Sequence, residues 1–469
     1  MIQFDNIRGS IRKPGFYFEF NSRLTSSGLP GNPQKTLIIA QRLAAGSAAA
    51  LVPTLVFSEA DAAGYFGTGS MAHLMVRAAL KANPYLDLTV CALDDNVSGA
   101  AATGTVTLSG TATSAGVIRL WIGSRMIEIS VASAAAAATI ATALNSEIAK
   151  YGDLPVTATV LAGVVTLTAR HKGTIGNQVS LVTEVTASGV TATVVTLANG
   201  TTDPTLQNTL DKVLAQAFDV IITPYNDSAN LQTLKTHLDI VAGPLEQRGG
   251  VGVAGFTGTV ANAVTLAAAV NSGMITIAQL RGTKSPSFEI AAAYGGVISG
   301  QEDPARPLNT LALVPISAPD ITQRFSRTEQ ESLLANGITP LEVGPGEVVQ
   351  IVRAITTYTV NAASIPDVAW LDLTTIRTMF YCRKAFRGRI ALRFPREKVS
   401  AKTPDKVRSE LLDVAKKLEA LEILTDIDLH KSGFIVEKDT TAVGRLNAII
   451  PTPVVPGLHV FAGRMDLML

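Results

Sequence analysis

The chain has 469 residues, of which 47% are hydrophobic and only 16% are charged, and its formal net charge is +1. This length exceeds what one hydrophobic core supports, so several domains are expected. The balanced charge argues against a general nucleic-acid binder, and the sequence predicts neither a signal peptide nor a membrane helix of roughly 18 apolar residues. The two cysteines, Cys91 and Cys382, are too few for a disulfide framework.

The first segment, residues 1–30, is predicted to be an extended arm with a linker. In the stretch GFYFEF, Phe16, Phe18 and Phe20 alternate with other residues, and this period of two is typical of a half-buried strand. The following stretch, SRLTSSGLPGNPQK, is rich in Ser, Gly and Pro, as flexible linkers are. A strand on such a linker can pair with a distant sheet, including the sheet of another chain.

Residues 31–95 and 201–314 are predicted to form one discontinuous α/β domain. Short apolar strands such as TLIIAQ, DVIITP and MITIAQ alternate with helical segments, which indicates a doubly wound, mixed or parallel sheet. One predicted helix has clear end signals, because Ser70 is suited to be its N-cap and Asn83 and Pro84 end it.

Residues 96–200 have a different composition, in which Thr, Val, Gly and Ala replace most other residues. Short β-rich runs are separated by turn residues, and this pattern predicts a small β-sandwich or β-barrel. An Ala-rich helix near residues 134–150 interrupts the strands. We interpret this region as a β-rich domain that is inserted into the α/β domain.

Residues 315–453 are predicted to form a C-terminal α+β domain. The stretches PLEV and VVQIVRAITTYTV are predicted strands, and Thr403 and Pro404 are predicted to begin a helix as N-cap and first helical residue. DIDLH, GFIVEKD and RLNAIIPTPV are further candidate strands. Residues 454–469 are predicted to be a second extended strand arm, with Leu458, Val460 and Phe461 as its apolar contact residues.

The stretch RGGVGVAGFTGT contains a complete G-x-G-x-x-G, formed by Gly250, Gly252 and Gly255. A dinucleotide-binding loop follows a strand and needs an acidic residue about 20 positions further on. Here the glycines lie within the predicted strand, and residues 256–288 contain neither Asp nor Glu. We therefore expect them to allow close packing in a buried strand.

The sequence contains no other strong signal for chemistry. No G-x-S-x-G elbow and no P-loop is present, and the five histidines have no metal-ligand spacing. We expect no catalytic residue, no cofactor and no metal, although a triad whose members meet only in space is not visible in a sequence.

A basic cluster with interleaved aromatic residues occupies the stretch RTMFYCRKAFRGRIALRFPREK. Three interpretations are open: an interface with acidic residues of another copy, a solvated helix face, or a nucleic-acid contact. In the first case the candidate acidic partners are Glu329 and Glu331 of the stretch EQE and the acidic residues of the stretch LEALEILTDIDLH. The residues proposed for this charged interface are Arg383, Lys384, Arg387, Arg389 and Arg393.

Several stretches, taken in their order, resemble the contractile tail sheath proteins of Mu-like phages. They are IRKPGFYFEFN, GNPQKTLIIAQRLAAG, LPVTATVLAGVVTLTARHKGTIGNQVSL, NGITPLEV, VVQIVRAITTYTVN and the closing arm. The resemblance covers nearly the whole chain. It implies a structural subunit in a helical polymer of stacked six-membered rings, whose arms augment a sheet in neighbouring subunits.

The resemblance also implies partners and a location. The partners are the tail tube, baseplate and tail terminator proteins, with no direct contact to nucleic acid and no membrane insertion. The location is the virion tail, assembled in the host bacterial cytoplasm. A phage-derived bacteriocin or another contractile injection device is the alternative within this class, and an NAD-dependent oxidoreductase and a surface adhesin are the rivals outside it.

Overall fold

The computed structural model describes Lys13, Gly15 and residues 29–468. The chain divides into two compact units. Of the described residues, the main unit consists of residues 33–380 and 456–468, and the C-terminal unit consists of Tyr381–Val455 and those before Pro33. The predicted N-terminal strand with Phe16, Phe18 and Phe20 lies outside the described residues.

The main unit begins with two buried parallel strands and the helices between them. Ser70 is the N-cap of the second helix, as predicted, and its Oγ accepts a hydrogen bond from the backbone N–H of His73 at 3.1 Å. That helix ends before Asn83, also as predicted. The elements are β1 (Lys35–Gln41), β2 (Pro53–Leu55), α1 (Glu59–Phe66), α2 (Met71–Ala82) and β3 (Asp87–Leu93).

The region after β3 forms two antiparallel sheets and one helix. The sheets have the orders β10-β4-β8-β7 and β6-β5-β9. Their alternating residues, together with Leu144 of the helix, form a hydrophobic core of their own, in which Val106 and Ile118 are fully buried. The elements are β4 (Ala101–Gly110), β5 (Gly116–Ile122), β6 (Arg125–Val131), α3 (Ala137–Ala149), β7 (Val156–Leu161), β8 (Val164–Lys172), β9 (Leu181–Val185) and β10 (Val190–Ala198).

The chain then returns to the first sheet through alternating helices and strands. These elements are α4 (Gln207–Val213), β11 (Val220–Ile222), α5 (Ser228–Ala242), β12 (Val251–Phe256), α6 (Val260–Val270), β13 (Ile275–Gln279), α7 (Ser287–Ser299), α8 (Arg327–Ala335), β14 (Thr339–Val343) and β15 (Val349–Ile351). The result is an eight-stranded sheet of order β15-β14-β13-β12-β11-β1-β3-β2, parallel except for its two outermost strands. The prediction of a mixed α/β protein with several sheets is confirmed.

Strands β14 and β15 were predicted to belong to the C-terminal domain, but they extend the sheet of the main unit. Ala278 of β13 pairs with Thr339 of β14 in parallel, and Leu341 of β14 pairs with Ile351 of β15. The predicted boundary at residue 315 therefore does not coincide with an end of this sheet. The stretch VVQIVRAITTYTV also forms a much shorter strand than its length suggested.

The described part of the C-terminal unit contains helices and one hairpin. Its elements are the greater part of α9 (Leu373–Arg393), then α10 (Thr403–Ala420), α11 (Ile427–His430), β16 (Ile435–Lys438) and β17 (Leu446–Ile449). On α10, Val407, Leu411, Val414 and Leu418 form the buried stripe.

Two local predictions in this region are wrong. Lys402, and not Thr403, occupies the N-cap position of α10. DIDLH forms a short helix, Ile427–His430, instead of a strand. Its first residue, Asp426, has a left-handed backbone, and of its two apolar residues only Ile427 is buried, which does not fit the period of two of a strand. The C-terminal strand arm, expected to pair with another copy, stays a prediction: within the single chain Val454 makes one bridge to Leu424, and residues 455–468 form no strand.

Candidate functional site

The glycine triplet lies in and before β12 and serves packing. A Cβ on Gly255 would collide with the carbonyl oxygen of Ser287 and would lie 2.8 Å from the backbone N of Ala291, both in α7. A Cβ on Gly252 would lie 2.8 Å from the side chain of Leu234. The next helix begins only at Val260. The glycines therefore let α7 approach the sheet closely, as the sequence predicted, and do not form a phosphate-binding turn.

The described part of the chain offers no centre for metal or thiol chemistry. No group of three or more His, Cys, Asp or Glu side chains in it is placed to hold a metal ion. Burial raises the pKa of Cys91 to about 11 and that of Cys382 to about 12, so both thiols stay protonated near neutral pH. No helix among the described residues has the length and apolar character to cross a membrane.

The C-terminal segment, residues 456–468, exposes its apolar side chains. Leu458, Val460 and Phe461 are 77%, 79% and 88% exposed, respectively, and Met465, Leu467 and Met468 follow with similar exposure. Large apolar side chains in a row on a segment without regular structure are costly in water. Such a segment is suited to bind another surface, and the three residues proposed for this contact are all exposed.

The β16–β17 hairpin is the second feature of this kind. Its register pairs Ile435 with Ile449 and Lys438 with Leu446, and no further strand joins it among the described residues. Ile435 is 46% and Ile449 is 62% exposed. A two-stranded sheet is marginally stable alone, and both of its edges carry backbone groups that can accept another strand.

The turn of this hairpin is fixed by one carboxylate. Oδ1 of Asp439 accepts hydrogen bonds from the backbone N–H groups of Thr441 and Ala442, both at 2.8 Å. These bonds, with those from the side chains of Thr441 and Asn447, hold the pKa of Asp439 well below its usual range. The turn that joins the two strands of the hairpin is therefore fixed by residues within it.

The basic cluster lies on α9 and does not act as one surface. Arg389 is buried, and its guanidinium lies 2.9 Å from Oε2 of Glu410 and 2.6 Å from Oδ2 of Asp413 on α10. This arginine therefore joins two helices of its own unit, and the prediction that it belongs to an interface between copies is wrong. Arg393 lies at the edge of the same network, with Nε 3.6 Å from Glu410.

The other residues of the cluster have different surroundings. Arg383 is half-buried, and burial, followed by the charge of Arg387, lowers its pKa. Lys384 is exposed, and its Nζ donates to the carbonyl oxygen of Gly31 at 3.1 Å. Arg387 is exposed. The structure thus leaves Lys384, Arg387 and Arg393 at the surface.

The acidic residues suggested as partners are not equivalent. Glu329 makes an ion pair with Arg281 at 2.7 Å and closes the capping box of α8 with Ser326. Its carboxylate is therefore engaged within its own chain. Glu331 is exposed on the same helix and stays a candidate partner.

His459 is a structural residue that the sequence analysis missed. It lies between exposed neighbours, but its own side chain is only 14% exposed. Its Nδ1 lies 3.0 Å from the amide nitrogen of Asn309. No local signal could have shown this contact, because the two residues are separated by 150 positions.

Comparisons with known proteins agree along the chain. Residues 199–357 match the family model of the phage tail sheath protein central domain, and residues 366–468 match that of the phage tail sheath C-terminal domain. The Mu-like prophage FluMu tail sheath protein of Haemophilus influenzae is 33% identical over 486 residues, an alignment that covers 100% of both chains.

Two solved structures share the fold. The sheath tail protein Lin1278 from Listeria innocua has a TM-score of 0.52 and 14% identity, over 92% of this chain and 94% of that one. A chain of the anti-feeding prophage baseplate has a TM-score of 0.52 and 11% identity, over 98% of this chain and 100% of that one.

Proposed function

This chain belongs to the phage tail sheath family, and from that membership we propose that it polymerises around a tail tube and contracts to drive the tube through the host envelope. The role is structural, without a catalytic residue or a cofactor. The working object is a helical polymer of stacked six-membered rings in the virion tail, which is assembled in the cytoplasm of the host bacterium.

Two features together carry the proposal: the C-terminal segment exposes its apolar side chains, and the β16–β17 sheet has only two strands among the described residues. Leu458, Val460 and Phe461 of one subunit bind a neighbour, whose β16–β17 hairpin accepts an added strand. Main-chain hydrogen bonds give such contacts affinity, and alternate side chains give them specificity. The N-terminal residues Phe16, Phe18 and Phe20 add a second strand by the same chemistry.

Contraction then requires a polymer that changes its packing without dissociating. Rigid-body rotation and translation of subunits give two packings of one fold. Strands that stay paired in both packings keep the subunits connected. The tail tube lies inside the polymer, and the baseplate and tail terminator proteins bind its two ends.

A charged contact supplements the strands. Lys384, Arg387 and Arg393, with the half-buried Arg383, face acidic residues of another copy such as Glu331. Contacts of this kind set specificity and register more than affinity, and they weaken with salt.

The test compares two sets of substitutions in the full chain. Replacement of Leu458, Val460 and Phe461 by Ser is expected to leave a folded protein that forms no tubes in electron microscopy. The control replaces Val97 and Val314, which are 91% and 70% exposed outside the arms, and is expected to polymerise normally. Long tubes from the arm variant would overturn the proposed contact.

A further inference from the structure

The C-terminal segment has one largely covered side chain among exposed ones, and this side chain is His459. Its neighbours Leu458 and Val460 are 77% and 79% exposed, whereas its imidazole is 14% exposed. We propose that His459 is the anchor that fixes where the C-terminal arm leaves its own subunit. This inference rests on the proposed function of the arm.

The imidazole is held by one hydrogen bond, at Nδ1, and its Nε2 faces a carboxylate. Nδ1 lies 3.0 Å from the amide nitrogen of Asn309, and Nε2 lies 3.5 Å from Oδ1 of Asp372. When the amide of Asn309 donates, Nδ1 must be the acceptor, and the ring proton of neutral histidine then lies on Nε2, facing Asp372. Burial, and next the charge of Arg353, lower the pKa of His459, which keeps the ring neutral at pH 7.

The Asp372 carboxylate, which faces Nε2 of His459, is itself held in a fixed orientation. Arg353 binds Asp372 with two hydrogen bonds, Nε to Oδ1 at 2.9 Å and Nη2 to Oδ2 at 2.8 Å. A bidentate pair of this kind fixes the orientation of the carboxylate. His459 therefore meets a preformed site on the main unit and does not merely rest on its surface.

The backbone beside His459 is also confined. A Cβ on Gly457 would lie 2.8 Å from Cγ of Pro307 and 2.9 Å from Nε2 of His459. A side chain at position 457 would therefore force Pro307 or His459 to shift. Two positions, Gly457 and His459, locate the root of the arm.

An anchored root changes the energetics of strand donation. Residues 460–468 beyond the anchor span at most about 30 Å when extended. Release of His459 would lengthen the free segment back towards Pro456 and add conformations that binding must remove. The anchor thereby limits the reach of the arm and raises its effective concentration at the neighbouring subunit.

The experiment uses the full chain with His459→Ala and the conservative His459→Gln, whose amide both accepts and donates. His459→Ala is expected to keep its melting temperature but to need an about tenfold higher protein concentration for polymerisation. His459→Gln is expected to polymerise at a protein concentration close to that of the wild type. His430→Ala, at an exposed histidine, serves as the matched control and is expected to polymerise like the wild type.

A second readout is independent of assembly. Among only five histidines, nitrogen NMR of the unassembled protein is expected to show His459 with its proton fixed on Nε2, and Asn309→Ala is expected to release it to a mixture of tautomers. A mixture in the wild type would overturn the anchor even if His459→Ala failed to fold.

The outcomes also separate the two proposals. If His459→Ala polymerised normally while the Ser-substituted arm did not, the anchor would be wrong and the donated arm would stand. If both variants polymerised normally, the arm contact itself would fail, and the anchor with it.

Discussion

Asp95 and His171 meet where the inserted strands join the eight-stranded sheet, with Nδ1 of His171 2.8 Å from Oδ1 of Asp95. Asp95 follows β3, and His171 lies near the end of β8. The same carboxylate accepts from Nε2 of Gln41 at 2.8 Å and from the backbone N–H of Lys172 at 2.9 Å. On the other side of the imidazole, Nε2 accepts the backbone N–H of Met71 at 3.0 Å. One carboxylate thus links the β-rich insertion, the first strand and, through His171, the start of α2.

Replacement of Asp95 by Ala is expected to lower the free energy of unfolding by about 2–3 kcal/mol, because it leaves buried donors on His171 and Lys172 unpaired. Urea denaturation of the unassembled protein measures the loss, with fluorescence of Trp121 in β5 as the probe. Asp94→Ala is the matched control, since Asp94 is 61% exposed and pairs only with Arg42. Its loss should stay under about 1 kcal/mol. Equal losses in the two variants would show that Asp95 has no special role.

The ion pair between Glu329 and Arg281 predicts a specific acid response. Hydrogen bonds from Arg281, then from the backbone of Ser326, lower the pKa of Glu329 from 4.5 to about 2. The folded state thus favours the carboxylate, so its stabilising effect is complete above pH 4.5 and disappears as the pH falls towards about 2. Because the side chain is one-third exposed, the total effect stays under about 1 kcal/mol.

Melting temperatures between pH 3 and pH 6 test this response, where the profile of Glu329→Gln is expected to be flatter than that of the wild type. Glu331→Gln, on the exposed side of α8, is the control and should follow the wild type. A Glu329→Gln profile that runs parallel to the wild type would rule out the stabilising ion pair.

Gly255→Ala tests the packing role of the glycine triplet. The added Cβ would collide with Ser287 and push α7 away from β12, so we expect a loss of about 1–3 kcal/mol. Gly64→Ala is the control, because a Cβ there meets nothing within 4 Å and Ala is the better helix former. The control is expected to be neutral or stabilising by up to about 1 kcal/mol. A tolerated Gly255→Ala would reopen the question of what these glycines do.

The local signals in the sequence predicted those elements whose ends are fixed by neighbouring residues. Ser70 caps α2 because a serine before an apolar run can satisfy an N–H of the first turn. The packing role of the glycines of β12 follows from their place within a predicted strand and from the lack of an acidic residue between positions 256 and 288. In both cases the deciding residues lie within one element or its neighbour.

The predictions that failed depend on residues far apart in the chain. The pairing of Thr339 with Ala278, which adds β14 to the main sheet, leaves no trace in either strand alone. DIDLH is too short for its pattern to separate a strand from a helical turn. The contact of His459 with Asn309 has no local signal either.

The burial of Arg389, which the sequence analysis did not predict, differs from these cases because it did leave a signal in the sequence. Glu410 and Asp413 are three residues apart on one helix and therefore lie on the same face, as Arg389 and Arg393 do at a spacing of four. Two facing pairs of opposite charge are the pattern of helices that pack together. That signal could have assigned Arg389 to the interior before its burial was known.

The same substitution at two arginines of α9, Arg387 and Arg389, is therefore expected to change the free energy of unfolding by very different amounts. Arg389→Met removes one partner of Glu410 and of Asp413, which keep Arg393 and Lys417 beside them. The free energy of unfolding should fall by about 2 kcal/mol, below the cost of breaking a fully buried pair, because both acids are partly exposed. Arg387→Met removes an exposed charge, and its unfolding free energy should change by under about 0.5 kcal/mol.

Polymerisation, in contrast to stability, should depend on Arg387, because we propose that Arg387 meets acidic residues of a neighbouring copy. Turbidity and electron microscopy at low salt are expected to show weaker assembly of Arg387→Met than of the wild type. The difference should shrink near 1 M salt, where the screening length falls to about 3 Å. If Arg387→Met assembled like the wild type at every salt concentration, Arg387 would belong to a solvated helix face and not to an interface.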